Sequence, residues 1–472
     1  MATSQAALSS FGEDLVRTLS RSLEEPDWLT AARLDAFHHF SQLPPETNPL
    51  YTKYVSTFGF DVDRFKMSAA KSKLDFRTFF GDYLTGRESN IMLQGNDVHV
   101  HSELDAELAS KGVNLMSLHE ALASEGQKIR VLVESTNAKS SRDKYGAFVN
   151  AFFNGGLFVR VPKGVTVEKT LRRMLLLDAP TTPVIEQLFV VAEEESKLVF
   201  LEEMYSKGPS TPALVASNSE IHAGPGSHVD FSSIQLLDQQ ATHISNRAVE
   251  ISNDARATVS SLSLGAATSR SRMNFLLNGR GSLAEGFEIF FTDSRQKYDY
   301  ETNLIHNSRD STGSTQARGV LKGESRSIFK GMIKIVNAAK NSRSYLAHHA
   351  MLLEGTAKSD GVPSLEIDNN EVKATHSASV AQIDEEQLFY LMARGLSYDE
   401  AKKTVVLGFF EPALSRIPIE QTREGARFMI EGKWKGETRR LVDREALLKA
   451  TGELTPEVKE SEDIFERHYK YR

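Results

Sequence analysis

Between Tyr145 and Val380 the chain is a long series of short runs with apolar residues at every second position. Val229/Phe231, Ile234/Leu236, Val249/Ile251, Phe275/Leu277 and Phe287/Ile289/Phe291 show the pattern, and Val259, Leu262 and Leu264 continue it. A period of two belongs to strands with one buried face, and β-branched and aromatic residues favour that state. Turn clusters interrupt the series at Gly224-Pro225-Gly226, Asn253-Asp254, Asn278-Gly279 and around Asn307 to Gly313. Their spacing of roughly 25–30 residues lies in the range of repeat architectures. No amino-acid motif recurs at that spacing, so on pattern alone a parallel β-helix, a β-sandwich and a β-barrel all stay open.

The flanks have a different period. After Pro26, the residues Trp28, Ala32, Ala36 and Phe40 recur every four positions, flanked by Leu29, Arg33 and Phe37, and Pro44-Pro45 closes the run. That is one helical stripe with a proline near its first turn. Residues 46–100 hold many aromatics but no dominant period.

Beyond Val380, Asp384 followed by Gln387 and Ser397 followed by Glu400 have capping-box spacing. Gly395 stands where the first of these helices should end, Pro412 is expected to limit the second, and Pro418 precedes a third running to about Trp434. Phe389, Leu391, Val405, Val406, Phe409 and Phe410 form apolar stripes on the first two. The expected organisation is a helical region over 1–100, a β core over 101–380, a helical region over 381–434 and a charged extension over 435–472.

Composition narrows the function. The chain has no cysteine, so it supplies no thiolate for metal binding or nucleophilic attack. Acidic residues outnumber basic ones by 63 to 56, a formal charge of −7, which lacks the broad positive field of a nucleic-acid binder. No apolar run approaches the roughly 20 residues of a membrane helix. Met1 to Leu23 lacks a basic start and an apolar signal core, so a cytoplasmic location is expected. No Gly-rich loop ending in Gly-Lys-Ser/Thr, no His-Glu-x-x-His and no Gly-x-Ser-x-Gly is present, so nothing marks an autonomous enzyme.

Four segments, in order, carry a resemblance to a known family. Glu25 to Phe37 with Leu43-Pro44-Pro45 looks like a Pro-x-Trp…Arg-Leu-x-Ala-Phe opening. Phe152 to Val165 is similar to a strand followed by a Val-Pro-Lys-Gly-Val turn, and Ile328 to Ile335 to a Phe-x-Gly-x-Ile strand. The most specific segment is Pro363 to Ile367, then Val372 to Val380, then Asp384 to Leu396. Together they resemble the SufB/SufD family, scaffold subunits of iron–sulfur cluster assembly, and the SufD side of it more than the SufB side.

The resemblance implies a mainly β fold, a right-handed parallel β-helix core flanked by N-terminal and C-terminal helical domains. It implies a cytoplasmic complex with an ABC-type ATPase (SufC) and a SufB-type paralogue, with a homodimer as a possible state of the isolated chain. A transient iron–sulfur cluster is expected only with a cysteine-bearing partner and none stably on the chain alone; no flavin site is legible.

Ala357 stands at or near the functional cysteine position of SufB-type members. Thr375-His376-Ser377 replaces their Glu-His-Glu and is closer to the Ser-His-Gly of SufD-type members. His376 is therefore the candidate cluster or metal ligand, shared with a partner chain, against the alternative that it only caps a strand or pairs at an interface. Phe389, Tyr390, Leu391, Arg394, Val405, Phe409 and Phe410 are candidates for docking the ATPase, although most such stripe residues must also pack their own domain.

His348 and His349 invite a metal reading with Glu354 and Asp360, but adjacent strand residues point to opposite faces, and a structural role is expected. His99 and His101 share a face without a third ligand nearby and read as surface residues. Two rival functions remain: a structural subunit that never touches a cluster, and a polysaccharide-processing β-helix enzyme.

Overall fold

The structure is a computed structural model that describes residues 11–46, 60–68, 74, 89–140, 142–207, 211–417 and 420–436. Most of the expected charged extension (437–472), much of 46–100 and Pro418 lie outside the described residues.

Strands number from β1 (Ile91–Gly95), β2 (Val98–Glu103), β3 (Asn114–Ser117) and β4 (Gly155–Val161) to β19 (Lys373–Gln382). Even-numbered strands from β4 onward, with β3 at the edge, form a nine-stranded sheet; odd-numbered strands, with β1 and β2 at the edge, form a ten-stranded one. From β4 on, consecutive strands lie in opposite sheets and each pairs in parallel with the strand two places further along. This is a parallel β-solenoid of two strands per turn.

The register separation from turn to turn runs from 26 residues (Thr242 beside Thr268) to 32 (Arg326 beside Lys358). The turn interval visible in the sequence is thus the solenoid period, and it is uneven. Unequal turns, filled by different side chains at each level, leave no motif at a fixed spacing.

Inward positions hold an apolar stack, with Phe200 near Phe231 (5.4 Å) and Phe290 near Tyr300 (5.0 Å). Beside it runs a buried polar seam. Arg173 donates to Glu202 (3.0 Å) and Gln94 (3.0 Å) and pairs with Glu186; Arg247 donates to Ser233 (3.0 Å) and Glu202 (3.3 Å). Further along, Thr302 donates to Glu288. Buried charges of this kind persist because they are paired or neutralised.

Helices cover both outer faces. On the even sheet lie α1 (Glu13–Ser22) and α2 (Asp27–Gln42), while α3 (Ala106–Ser110) sets Leu108 into the inner core. The helices α4 (Leu118–Ser124), α5 (Gly126–Ser140) and α6 (Lys144–Phe152) complete the outer layer, in which Leu29, Phe40, Phe148 and Phe152 pack on Phe158, Phe189 and Ile244. The buried stripe of α2 is Leu29, Arg33, Ala36 and Phe40, one position round from the expected Trp28 line. Arg33 is accommodated because Glu25 accepts two bonds from it (2.7 and 2.6 Å) and the Ala151 carbonyl a third.

The strict alternation between sheets begins at Gly155, while β1, β2 and β3 (Ile91 to Ser117) already join the sheet edges on either side of residue 101. The segment Tyr145–Phe152, which reads as strand-like, is helical. Every one of these residues is buried, so no polar face marks the helical period.

On the odd sheet lie α7 (Glu385–Ala393), α8 (Tyr398–Leu414) and α9 (Glu420–Trp434). Val406, Phe410, Met429 and Ile430 pack there on Ile234, Phe287, Ile289, Phe291 and Val320. Asp384 caps α7, and Ser397 with Glu400 closes a capping box on α8. Gly395 follows α7 with φ +98°, a conformation that favours glycine. Pro412 sits inside the last turn of α8 rather than ending it, at the cost of one helical bond.

Candidate functional site

The solenoid ends without a cap. Its last turn consists of β18 (Lys358–Ile367) and β19, each paired on one side only, to β16 (Arg326–Ile335) and β17 (Arg343–Leu352). Both strands are largely exposed, in contrast to the buried turns before them. Pro363, which has no N–H for a ladder, is tolerated on such an edge. Inward-facing positions that would be core one turn earlier meet solvent: Leu365, Ile367 and Val380 are each about 40% exposed.

His376 lies on this open turn. Leu346 and Ala350 of β17 belong to the inner core and Ala374 of β19 packs against it; since Leu346 pairs with His376, the imidazole shares the inward face. There it is exposed. The ungapped position expected for a cysteine, Ala357, is buried in the turn just before β18.

His348 and His349 take opposite faces, as their adjacency requires. His349 faces outward and bonds Ser379 (2.7 Å). His348 faces inward, fully buried, its ring stacked on Phe329 with centroids 4.6 Å apart. Neither of its ring nitrogens has a hydrogen-bond partner, and burial, with a smaller effect of His349, lowers its pKa to about 3. The neutral ring thus keeps a free lone pair. Glu354 is drawn away to the Gly323 N–H (3.1 Å). His101 is close to Glu103 (3.5 Å) and His99 to Ser102 (2.7 Å), at the far end of the odd sheet. Among the described residues, no three His, Cys, Asp or Glu side chains converge as a metal site, so a metal held here would need ligands from elsewhere.

The chain leaves β19 directly into α7, whose outer surface is unusually apolar. Phe389 is 74% exposed and Tyr390 57%, with Arg394 4.9 Å over the Tyr390 ring. Leu391 and Val405 are half-buried against the core under the helices. Phe409 is half-buried beneath Arg318, which donates to its carbonyl (2.9 Å), and Phe410 is fully buried 6.5 Å from Phe291. The two stripes therefore divide: Phe389, Tyr390 and Arg394 face outward, whereas Phe410 holds α8 to the sheet.

The polar seam inside the solenoid had no counterpart in the motif reading. Its signal was present, as charged residues at inward positions of otherwise apolar strands, such as Arg173 between Leu171 and Leu175.

A two-sheet parallel solenoid, helices on both outer faces and one open histidine-bearing end define a helix-flanked parallel β-solenoid protein. The chain belongs to the SufBD family of SUF-system iron–sulfur cluster assembly: the family model of the SufBD core domain matches residues 175–409, and that of the SufBD N-terminal region matches 15–172. It is similar to the iron–sulfur cluster assembly protein SufD of Bacillus subtilis, 26% identical over 433 residues, 90% of this chain and 98% of that protein. SufBD family proteins of Staphylococcus saprophyticus and Staphylococcus haemolyticus are each 24% identical over 440 residues, 89% of this chain and 93% of theirs.

Proposed function

We propose that this chain is a SufD-like, non-enzymatic scaffold subunit. In this reading it works with an ABC-type ATPase of the SufC kind and a SufB-type paralogue, in the cytoplasm. The observation that carries the proposal is the inward-facing, exposed His376 on an uncapped solenoid turn, in a chain with no cysteine. Open edges of β18 and β19 are pairing sites for another strand-bearing chain. A partner docked there would set its own thiolate beside His376, and the nascent cluster would be held between the two. Alone, the chain offers too few soft ligands to keep a cluster. The outward apolar surface of α7 suits the ATPase contact. The SufBD family assignment argues against the polysaccharide-processing alternative.

The test is His376→Ala in the co-expressed complex. Complex yield is expected to stay near normal, because one exposed side chain contributes little to a large interface, while iron per complex falls sharply. Normal iron per complex with His376→Ala would refute the ligand role and leave a structural subunit.

A further inference from the structure

His348 has two unpartnered ring nitrogens in a fully buried place, which the cluster role above does not use. Leaving buried polar atoms unsatisfied costs on the order of 1–3 kcal/mol each, and such sites call for an explanation. Three features place this ring in relation to the open end. It lies one turn below that end, on β17, with Ala378 of the last turn in register above it. Gly361 of β18 approaches so closely that a Cβ there would lie 2.8 Å from Nδ1. His376 is on the same inward face of the neighbouring strand, two residues out of register. With strands about 4.8 Å apart and about 6.6 Å of rise over two residues, the two Cα atoms are about 8 Å apart. That separation lets two imidazoles converge on one ion with metal–nitrogen bonds of about 2.1 Å.

The geometry points to His348 and His376 as a two-imidazole site for a divalent transition metal, of the ferrous type, at the open end of the solenoid. Neutral imidazole suits iron and zinc as a ligand, and burial keeps His348 neutral. The smallest side chains stand between His348 and the end, Gly361 and Ala378, and they belong to the turn with unpaired edges. Phe329 stacked beneath holds the ring plane. The sequence gives His348 and His349 a structural role; the register of β17 against β19 is what sets His348 on the same inward face as His376. This rests on the reading of His376 given above: the chain itself would seat the metal ion of the cargo before a partner thiolate completes its shell.

The test uses the intact chain under anaerobic conditions, with Co2+ as a spectroscopic probe. One ion per chain is expected. Outer partners of a metal ligand already change affinity by about 10–100-fold, so His348→Gln and His376→Gln are each expected to weaken binding by at least about tenfold. Gly361→Ala, which must displace the ring while keeping both ligands, should also weaken it. X-ray absorption of the Zn2+-loaded wild-type chain is independent of how the variants fold and should report two imidazoles.

A single imidazole, no one-to-one binding, or Co2+ affinity unchanged in a folded His348→Gln variant overturns the inference. If that happens while His376→Ala still empties the complex of iron, the scaffold reading stands without the paired site. If His376→Ala leaves iron per complex normal, the scaffold reading of His376 falls on its own evidence.

Discussion

Glu288→Gln is expected to stabilise the protein by an amount that is absent below pH 4.5 and grows as pH rises to about 7. Glu288 is buried at an inward position of the solenoid, reached by the Thr302 hydroxyl. Burial pushes its carboxyl up from 4.5 to about 7; the Thr302 bond and the Arg247 charge oppose this and do not prevail, because Arg247 is itself engaged by Glu202. A raised folded-state value means that the unfolded chain loses this proton first. The stabilising contribution is complete below pH 4.5 and is lost as pH rises through about 7. Moving a carboxyl that far corresponds to about 3 kcal/mol. Glutamine keeps the shape and an acceptor for Thr302 but has no charge to desolvate.

The variant should therefore match the wild type near pH 4 and exceed it at pH 8 by up to about 3 kcal/mol. For cooperative unfolding of a chain this long, that is about 3 °C in Tm. Calorimetry of both proteins at the two pH values is the assay. An equal gain at both pH values would mean a packing effect. A loss at pH 8 would mean that the ionised carboxylate is stabilised by Arg247, and either result refutes the argument.

Two further outcomes follow from the packing. Gly319→Ala places a methyl group against the buried Phe290 ring, and overpacking of this kind should cost about 1–3 kcal/mol, read as a lowered Tm; an unchanged Tm would show that the ring can step aside. Phe389→Ser with Tyr390→Ser, both on the exposed face of α7, should leave stability within about 0.5 kcal/mol yet abolish co-purification with the ATPase. Retained binding would place the contact elsewhere.

Local order was legible in the residues. The caps Asp384 and Ser397/Glu400 and the glycine after α7 are satisfied within a few positions of chain, so a reader of the sequence finds them. The strands between β4 and β19 follow from the period of two, and Phe329, Gly331 and Ile333 of the Phe-x-Gly-x-Ile segment prove to be alternate inward positions of one strand. The family resemblance located His376, but the residues alone did not say that it faces the solenoid interior.

What stayed hidden depends on contacts between distant turns. Solenoid, sandwich and barrel share one strand pattern, and only the parallel pairing of Leu346 with His376, or Thr242 with Thr268, selects the solenoid. The α6 segment lost its helical signature because both its sides are buried, between α2 and the even sheet. Pairing His348 with His376 required the register of β17 against β19, since 28 residues separate them along the chain. A sequence encodes what neighbours within one or two turns of backbone can satisfy. Which inward face meets which, and which turn is last and therefore open, is decided only when the sheets close on each other.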